Sequence, residues 1–157
     1  MLKKVPAQQN YAYMKTKQKI LATTLTYAGT LPLLVAALGV SLSLMTPFNV
    51  ALIATTYSAI IITFLAGIHW AAYLFFSDKC PRNLLLTSNA VALLAWLSLL
   101  WPQQPWGLLL QNLCFLYLLT MDYKLHAVSI LPTWFYTLRR NATVIVALSL
   151  SIIMGQL

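Results

Sequence analysis

Few side chains in this sequence could carry acid–base, nucleophilic or metal chemistry. The chain has two acidic residues, two histidines and two cysteines, which are Asp78, Asp122, His69, His126, Cys80 and Cys114. The spacings CxxC, CxxCH and HExxH, which hold a metal or attach a haem, do not occur. The sequence therefore predicts no metal site and no cofactor. A disulfide is not expected either, because one cysteine lies in a charged loop and the other in an apolar run.

The two carboxylates are poor candidates for general acid–base catalysis. Each stands at the end of an apolar stretch close to a lysine, Asp78 beside Lys79 and Asp122 near Lys124. Such pairs are usually solvated, and nothing in the spacing places both acids in one site. No motif joins Ser, His and Asp, or Cys and His. We therefore predict no catalytic residue and favour a protein that is not an enzyme.

His69 differs from these groups, because it lies inside an apolar run, Phe64-Leu-Ala-Gly-Ile-His-Trp70. A polar side chain in hydrocarbon costs free energy unless it is paired, so His69 should face other helices. Counted inward from the same surface, other hydrogen-bonding side chains fall at a similar depth on neighbouring stretches. Together with His69 and Trp70 they form a candidate pocket or packing layer: Tyr27, Thr30, Asn89 and Tyr117.

Two interpretations of this layer stay open. It is an interhelical hydrogen-bond network, or it is a small polar pocket open to the cytoplasm, with His69 as proton carrier, haem ligand or headgroup contact. Haem is disfavoured, because a bis-histidine site needs two histidines at matched depth and His126 lies in a loop. Small residues on the same stretch predict close helix packing: Ala59, Thr63, Ala66 and Gly67.

Composition predicts that membrane-spanning helices position these residues. Of the 157 residues 61% are hydrophobic and 8% charged, whereas soluble domains have about 45–50% and about 25%. A spanning helix needs about 20 mostly apolar residues, and five stretches are long enough or nearly so. We predict an all-α bundle of five transmembrane helices, at residues 20–45, 47–76, 83–101, 106–121 and 141–156.

The cations test this topology independently of hydropathy. With five spans, all 10 lysines and arginines fall on one side of the membrane. The positive-inside rule then places the N-terminus, with a basic tail at residues 1–19, in the cytoplasm and the C-terminus outside. Lipid headgroups account for these cations better than nucleic acid does, because they stand in short loops beside apolar spans. Residues 131–140 are predicted as a short interfacial helix that contacts lipid through Trp134, Tyr136, Arg139 and Arg140.

Several strings of the sequence, taken in order, resemble a known family. They are Tyr27-Ala-Gly-Thr-Leu-Pro32, Phe64-Leu-Ala-Gly-Ile-His-Trp70, Leu94-Ala-Trp96, Asp122-Tyr-Lys-Leu125 and Leu131-Pro-Thr-Trp-Phe-Tyr-Thr-Leu-Arg139. Together they resemble the bacterial membrane proteins related to mitochondrial transmembrane protein 69, known as domain of unknown function 3429. The resemblance implies a small multi-pass protein of the bacterial inner membrane. It supplies no activity, cofactor or catalytic residue.

The sequence thus favours a non-enzymatic membrane protein that lies in the lipid bilayer and associates with a partner complex, as a subunit or assembly protein. Two alternatives stay open. The first is a carrier or channel-type protein with a polar inner-leaflet pocket around His69. The second is a membrane enzyme that acts on lipid or quinone with His69 as base.

Overall fold

The computed structural model describes residues 16–101 and 105–157, and within them all regular structure is helical. The prediction of an all-α chain is confirmed. Residues 1–15, most of the predicted tail, lie outside the described residues. The helices are α1 Thr16–Ala28, α2 Leu31–Ser41, α3 Pro47–Phe76, α4 Leu84–Ser98, α5 Pro105–Ala127 and α6 Thr133–Met154, with a 3-10 turn at Ser77–Lys79.

Local sequence accounts for where α3 and α4 begin. The side chain of Thr46 caps α3 by accepting from the backbone N–H of Asn49 at 3.4 Å. Pro47 follows at the first helical position, where the missing N–H removes no helical hydrogen bond. Asn83 caps α4 through the N–H of Leu86 at 3.2 Å. Both caps satisfy donors that a helix start leaves without a partner.

The stretch predicted as one span over residues 20–45 contains two helices, α1 and α2. The helix breaks at Gly29 and Thr30, just before Pro32, which has no N–H to donate to the preceding turn. The hydroxyl of Tyr57 on α3 donates to the carbonyl of Gly29 at 2.9 Å. A neighbouring helix thus satisfies a backbone group at the break, as is required where water is scarce.

Helix α3 is central to the bundle. It packs against α2, α4, α5 and α6, while α1 packs against α6. Near its beginning, the carbonyl of Thr55 accepts from Gln111 Nε2, early in α5, at 2.7 Å. Near its end, His69 contacts Asp122, late in α5, and Asp122 contacts Arg139, early in α6. Helices α3 and α5 therefore run parallel to each other, and α6 runs antiparallel to both.

Within residues 16–101 and 105–157, three helical segments are long and apolar enough to cross a membrane, namely Lys17–Ser41, Pro47–Lys79 and Thr133–Met154. Helix α4 is apolar but shorter, and α5 is not among the three. Large apolar side chains cover the outside of the bundle, and the mostly apolar interior also holds polar side chains. An apolar outer surface of this extent is unusual in soluble proteins. These features indicate a membrane protein.

Two predictions of local structure were wrong. No separate interfacial helix covers residues 131–140, because residues 133–140 are the first two turns of the continuous helix α6. The small residues of α3 also lie on two different faces. Ala59 and Ala66 are buried, as predicted, but Thr63 and Gly67 are exposed. A Cβ at position 67 would have no atom of another helix within 4 Å.

Gly107 provides a test of the packing between α4 and α5. A Cβ at this position would lie 2.9 Å from the carbonyl oxygens of both Ser98 and Trp101. Because backbone atoms yield less readily than side chains, we expect Gly107→Ala to lower the free energy of unfolding by about 1–3 kcal/mol. Denaturation of the purified protein by SDS in mixed micelles, followed by circular dichroism, measures this loss. Gly67→Ala is the matched control and should be as stable as the wild type; equal losses in both variants would contradict the packing described.

Candidate functional site: a buried His–Asp–Arg cluster

Asp122 lies at the centre of a charged cluster inside the bundle. Its Oδ1 is 2.8 Å from His69 Nε2, and its Oδ2 is 2.9 Å from both Nε and Nη2 of Arg139. Only 1% of Asp122, 1% of His69 and 6% of Arg139 is exposed. Because a carboxylate only accepts hydrogen bonds, His69 Nε2 carries the proton that it donates. Both carboxylate oxygens are therefore paired within the protein.

Three helices supply the cluster. His69 lies two turns before the end of α3, Asp122 is six residues from the start of the α5–α6 loop, and Arg139 is in the second turn of α6. At 1.5 Å per residue, His69 is roughly 10 Å from the end of α3. The cluster thus links α3, α5 and α6 at one level of the bundle.

The loop between α5 and α6 positions two of these helices. Ser129 adopts a left-handed backbone conformation with φ 59°, which turns the chain after α5. The N–H groups of Ile130 and Leu131 then donate back to the last turn of α5. His126 Nδ1 is 3.0 Å from the carbonyl of Leu131, and its ring stacks on Tyr136 of α6 at a centroid distance of 5.1 Å. These contacts fix α6 beside α5.

Charge balance explains why the cluster is stable inside apolar helices. An isolated carboxylate away from water is costly unless it is paired and hydrogen-bonded. Arg139 offsets the charge of Asp122, since its Nε–H donates to Oδ2 and its Nη2 lies 2.9 Å from the same oxygen. His69 occupies the other oxygen. The arrangement is thus an interhelical link in which each helix contributes one charged or titratable side chain.

The predicted layer around His69 is not brought together by the structure. Asn89 is exposed, and its Nδ2 donates to Leu85 O within its own helix at 2.8 Å. Tyr27 and Trp70 are also exposed. His69 is the one layer residue in the cluster, so shared depth did not predict shared contacts.

The other two layer residues have local roles. Thr30 is buried, but its hydroxyl donates to Tyr27 O at 2.8 Å, at the break between α1 and α2. Tyr117 is half-buried and packs against both apolar core clusters of the bundle. Neither contact involves His69.

The four residues predicted to contact lipid at the interface divide into two groups. Arg139 was assigned wrongly, because it is buried and paired with Asp122. Its neighbour Arg140 is exposed, as an interfacial arginine would be. Trp134 and Tyr136 are half-buried, and the ammonium of Lys19 lies 5.4 Å from the Trp134 ring centroid.

The prediction that Asp122 is a solvated partner of Lys124 was also wrong. A signal in the sequence could have corrected it, because Asp122 follows Leu118 by four residues and precedes Leu125 by three. Residues at that spacing share a helix face, and all three are buried. The other acid, Asp78, is exposed, as predicted.

Metal and thiol chemistry receive no support from the described part of the chain. No group of three His, Cys, Asp or Glu side chains there is close enough to hold a metal ion. Both cysteines are free thiols, as expected. Partial burial raises the pKa of the Cys80 thiol, which lowers its thiolate fraction and hence its reactivity at neutral pH.

Comparison with known families gives a match over most of the chain. The profile described as "Protein of unknown function (DUF3429)" covers residues 18–155, which include the whole cluster. The chain belongs to the DUF3429 family. No curated protein and no solved structure matches the DUF3429 chain. Its kinship with mitochondrial transmembrane protein 69 stays a prediction.

Adjacent arginines of this DUF3429 protein allow a matched test of the cluster. Arg139→Gln leaves the carboxylate of Asp122 buried without its charge partner, so we expect the free energy of unfolding to fall by about 3–5 kcal/mol. Arg140→Gln, at an exposed position, should change it by about 0.5 kcal/mol or less. SDS titration of the purified variants measures both.

A double variant separates pairing from other effects of the substitution. When Asp122→Asn is added to Arg139→Gln, the loss should be smaller than the sum of the two single losses, because the buried charge has also been removed. Strict additivity, or equal losses in Arg139→Gln and Arg140→Gln, would contradict the cluster as described.

Proposed function

We propose that the protein is a five-span membrane protein that acts without catalysis, as a partner or subunit of a membrane complex. The observation that carries this proposal is the enclosure of the cluster. Of the two histidines His69 is the buried one, with 1% exposed, and its Nε2 is paired with Asp122. A carrier or an enzyme that used His69 would need access to it from water or from a substrate. The cluster fits a structural link better than either alternative.

The burial of its polar side chains supports α5 as a membrane span in addition to the three most apolar segments. Helix α5 has 23 residues, which is long enough to cross the hydrocarbon core. Its polar side chains Gln111 and Asp122 are buried against other helices. A helix that supplies the polar contacts of a bundle has a low hydropathy without being outside the membrane. Together with α4, which runs antiparallel beside α5, the protein then has five membrane spans.

The position of the cations supports an orientation. Lys17 and Lys19 are at the beginning of α1, Lys79 and Arg82 follow α3, and Arg140 is early in α6. These helix ends lie at the end of the bundle that holds the cluster. By the positive-inside rule this end faces the cytoplasm, with the C-terminus outside. A bacterial inner membrane is the location we propose, on the resemblance stated above.

Single cysteines test the topology, each in a background that carries both Cys80→Ser and Cys114→Ala. Ser77→Cys follows α3 and Trp101→Cys follows α4, and both positions are exposed. A membrane-impermeant maleimide should label Trp101→Cys in intact cells and Ser77→Cys only after permeabilisation, because five spans place these positions on opposite sides. Labelling of both only after permeabilisation would indicate three spans, and the reverse pattern would indicate the opposite orientation.

The outer face of α3 supports a helical partner. Thr63, Gly67 and Ala71 recur every four residues and are exposed, with open space above Gly67. In membranes, small residues at this spacing let two helices approach closely, so that packing drives their association. We propose a transmembrane helix of another membrane protein as the occupant of this face.

A bulky residue at Gly67 tests the partner role. The tagged full-length chain is extracted in native nanodiscs, and retained proteins are quantified by mass spectrometry. Gly67→Leu should lower the amount of a stoichiometric partner about tenfold, the equivalent of about 1.4 kcal/mol of binding free energy. Thr120→Leu, an exposed substitution on α5, is the matched control and should retain the partner. Absence of a stoichiometric partner from the wild type, or its full retention by Gly67→Leu, would refute the proposal.

A further inference from the structure

A cavity of about 380 Å³ lies between α1, α3 and α6, beside the cluster. Its volume is in the range of sites for small molecules, about 300–1,000 Å³. Most of its lining is apolar and includes Ile68 of α3 and Phe135 and Val146 of α6. Arg139 lines it as well, so the cavity reaches the cluster. Its chemistry is therefore that of a hydrocarbon site bordered by an arginine that is already paired with Asp122.

The cavity opens sideways between α1 and α3. Leu25 of α1 and Phe64 of α3 both line it, and they are 62% and 67% exposed. Toward the C-terminal end of α1 the hydrogen bond from Tyr57 to Gly29 O joins the two sides. The opening thus faces the apolar outer surface of the bundle, where acyl chains lie around a membrane protein. We call this cavity the lateral slot.

A cation, Lys19, lies near the beginning of α1, close to residues that line the lateral slot. Lys19 precedes Ala22 by three residues on α1, and Ala22 lines the slot. The ammonium of Lys19 lies over Trp134 of α6, next to Phe135. Among the described residues, which include both acidic residues of the chain, no carboxylate lies within ion-pair distance of Lys19. Asp122 is already paired with His69 and Arg139. The positive charge of Lys19 therefore lacks an internal counter-charge.

We propose that the lateral slot binds one acyl chain of an anionic phospholipid, whose phosphate pairs with Lys19. The apolar lining suits a hydrocarbon chain, and the lateral opening lets the second chain remain in the bilayer. The ammonium of Lys19 is complementary to the phosphate of a lipid whose headgroup has no positive charge of its own. This site is independent of the partner role proposed above, because it uses the gap between α1 and α3 and not the outer small-residue face of α3.

Native mass spectrometry of the detergent-solubilised full-length chain tests the site. The protein is titrated with phosphatidylglycerol and with phosphatidylcholine that carry identical acyl chains. One phosphatidylglycerol should bind about fivefold more tightly than phosphatidylcholine, as expected for about 1 kcal/mol from one lysine. Excess inorganic phosphate should not displace it, because the acyl chain supplies the rest of the affinity. Displacement by inorganic phosphate would show a simple anion site and overturn the proposal.

Two pairs of variants distinguish the contribution of the Lys19 charge to lipid binding from that of the apolar slot. Lys19→Gln should abolish the preference for phosphatidylglycerol, and Lys79→Gln, an exposed cation at the same end of the bundle, should keep it. Ala22→Phe fills the slot and should weaken the binding of both lipids about tenfold or more, equivalent to about 1.4 kcal/mol. Ala28→Phe, exposed on the same helix and outside the lining, should not. Equal effects within either pair would overturn the proposal.

A measurement on the wild type guards against variants that fail to fold. Phosphatidylglycerol with a photoreactive diazirine near the end of one acyl chain is incorporated into nanodiscs with the protein. Cross-links should concentrate on residues that line the slot, with Phe64 and Val146 among them. Cross-links spread evenly over the exposed apolar surface would show ordinary annular lipid and refute a bound chain.

Discussion

The burial of one carboxylate constrains the whole bundle. Asp122 is 1% exposed inside helices whose surroundings are apolar, so an unpaired charge there would cost several kcal/mol. Its two oxygens are satisfied from two different helices, by His69 of α3 and Arg139 of α6. Both contacts form only at one rotation and one relative height of α3, α5 and α6. A single acid thus specifies the arrangement of three helices, which apolar packing alone would leave less well defined.

Helix α5 shows how a helix can combine polar side chains with burial inside the bundle. It carries Asp122 near one end and Gln111 near the other, and each pairs with groups on α3. These side chains lower the hydropathy of α5 below that of the three most apolar segments. Both side chains are nevertheless buried between helices. Helix α5 thus makes polar contacts with α3 at both levels of the bundle, which its polar side chains require.

The sequence predicted helices better than contacts. The helical class and the start of α3 at Pro47 followed from the apolar stretches alone. The Thr46 cap at that start acts over only a few positions. The site required the rotation of each helix about its axis, which depth does not determine. Tyr27 and Asn89 were therefore grouped with His69 although they point outward. Asp122 was assigned to water because of Lys124 nearby in sequence, whereas its partner is Arg139, 17 residues away and on another helix.

Arg139 connects the two features that this fold builds at one end. Its guanidinium neutralises Asp122, and its side chain also borders the lateral slot. Arg140, one residue later, points outward because successive positions on a helix are rotated by about 100°. An acyl chain in the lateral slot would contact Arg139, whose position is fixed by its pairing with Asp122. Binding in the slot and helix packing therefore depend on the same side chain. Any change that displaces Arg139 must therefore alter both the interhelical link and the border of the slot.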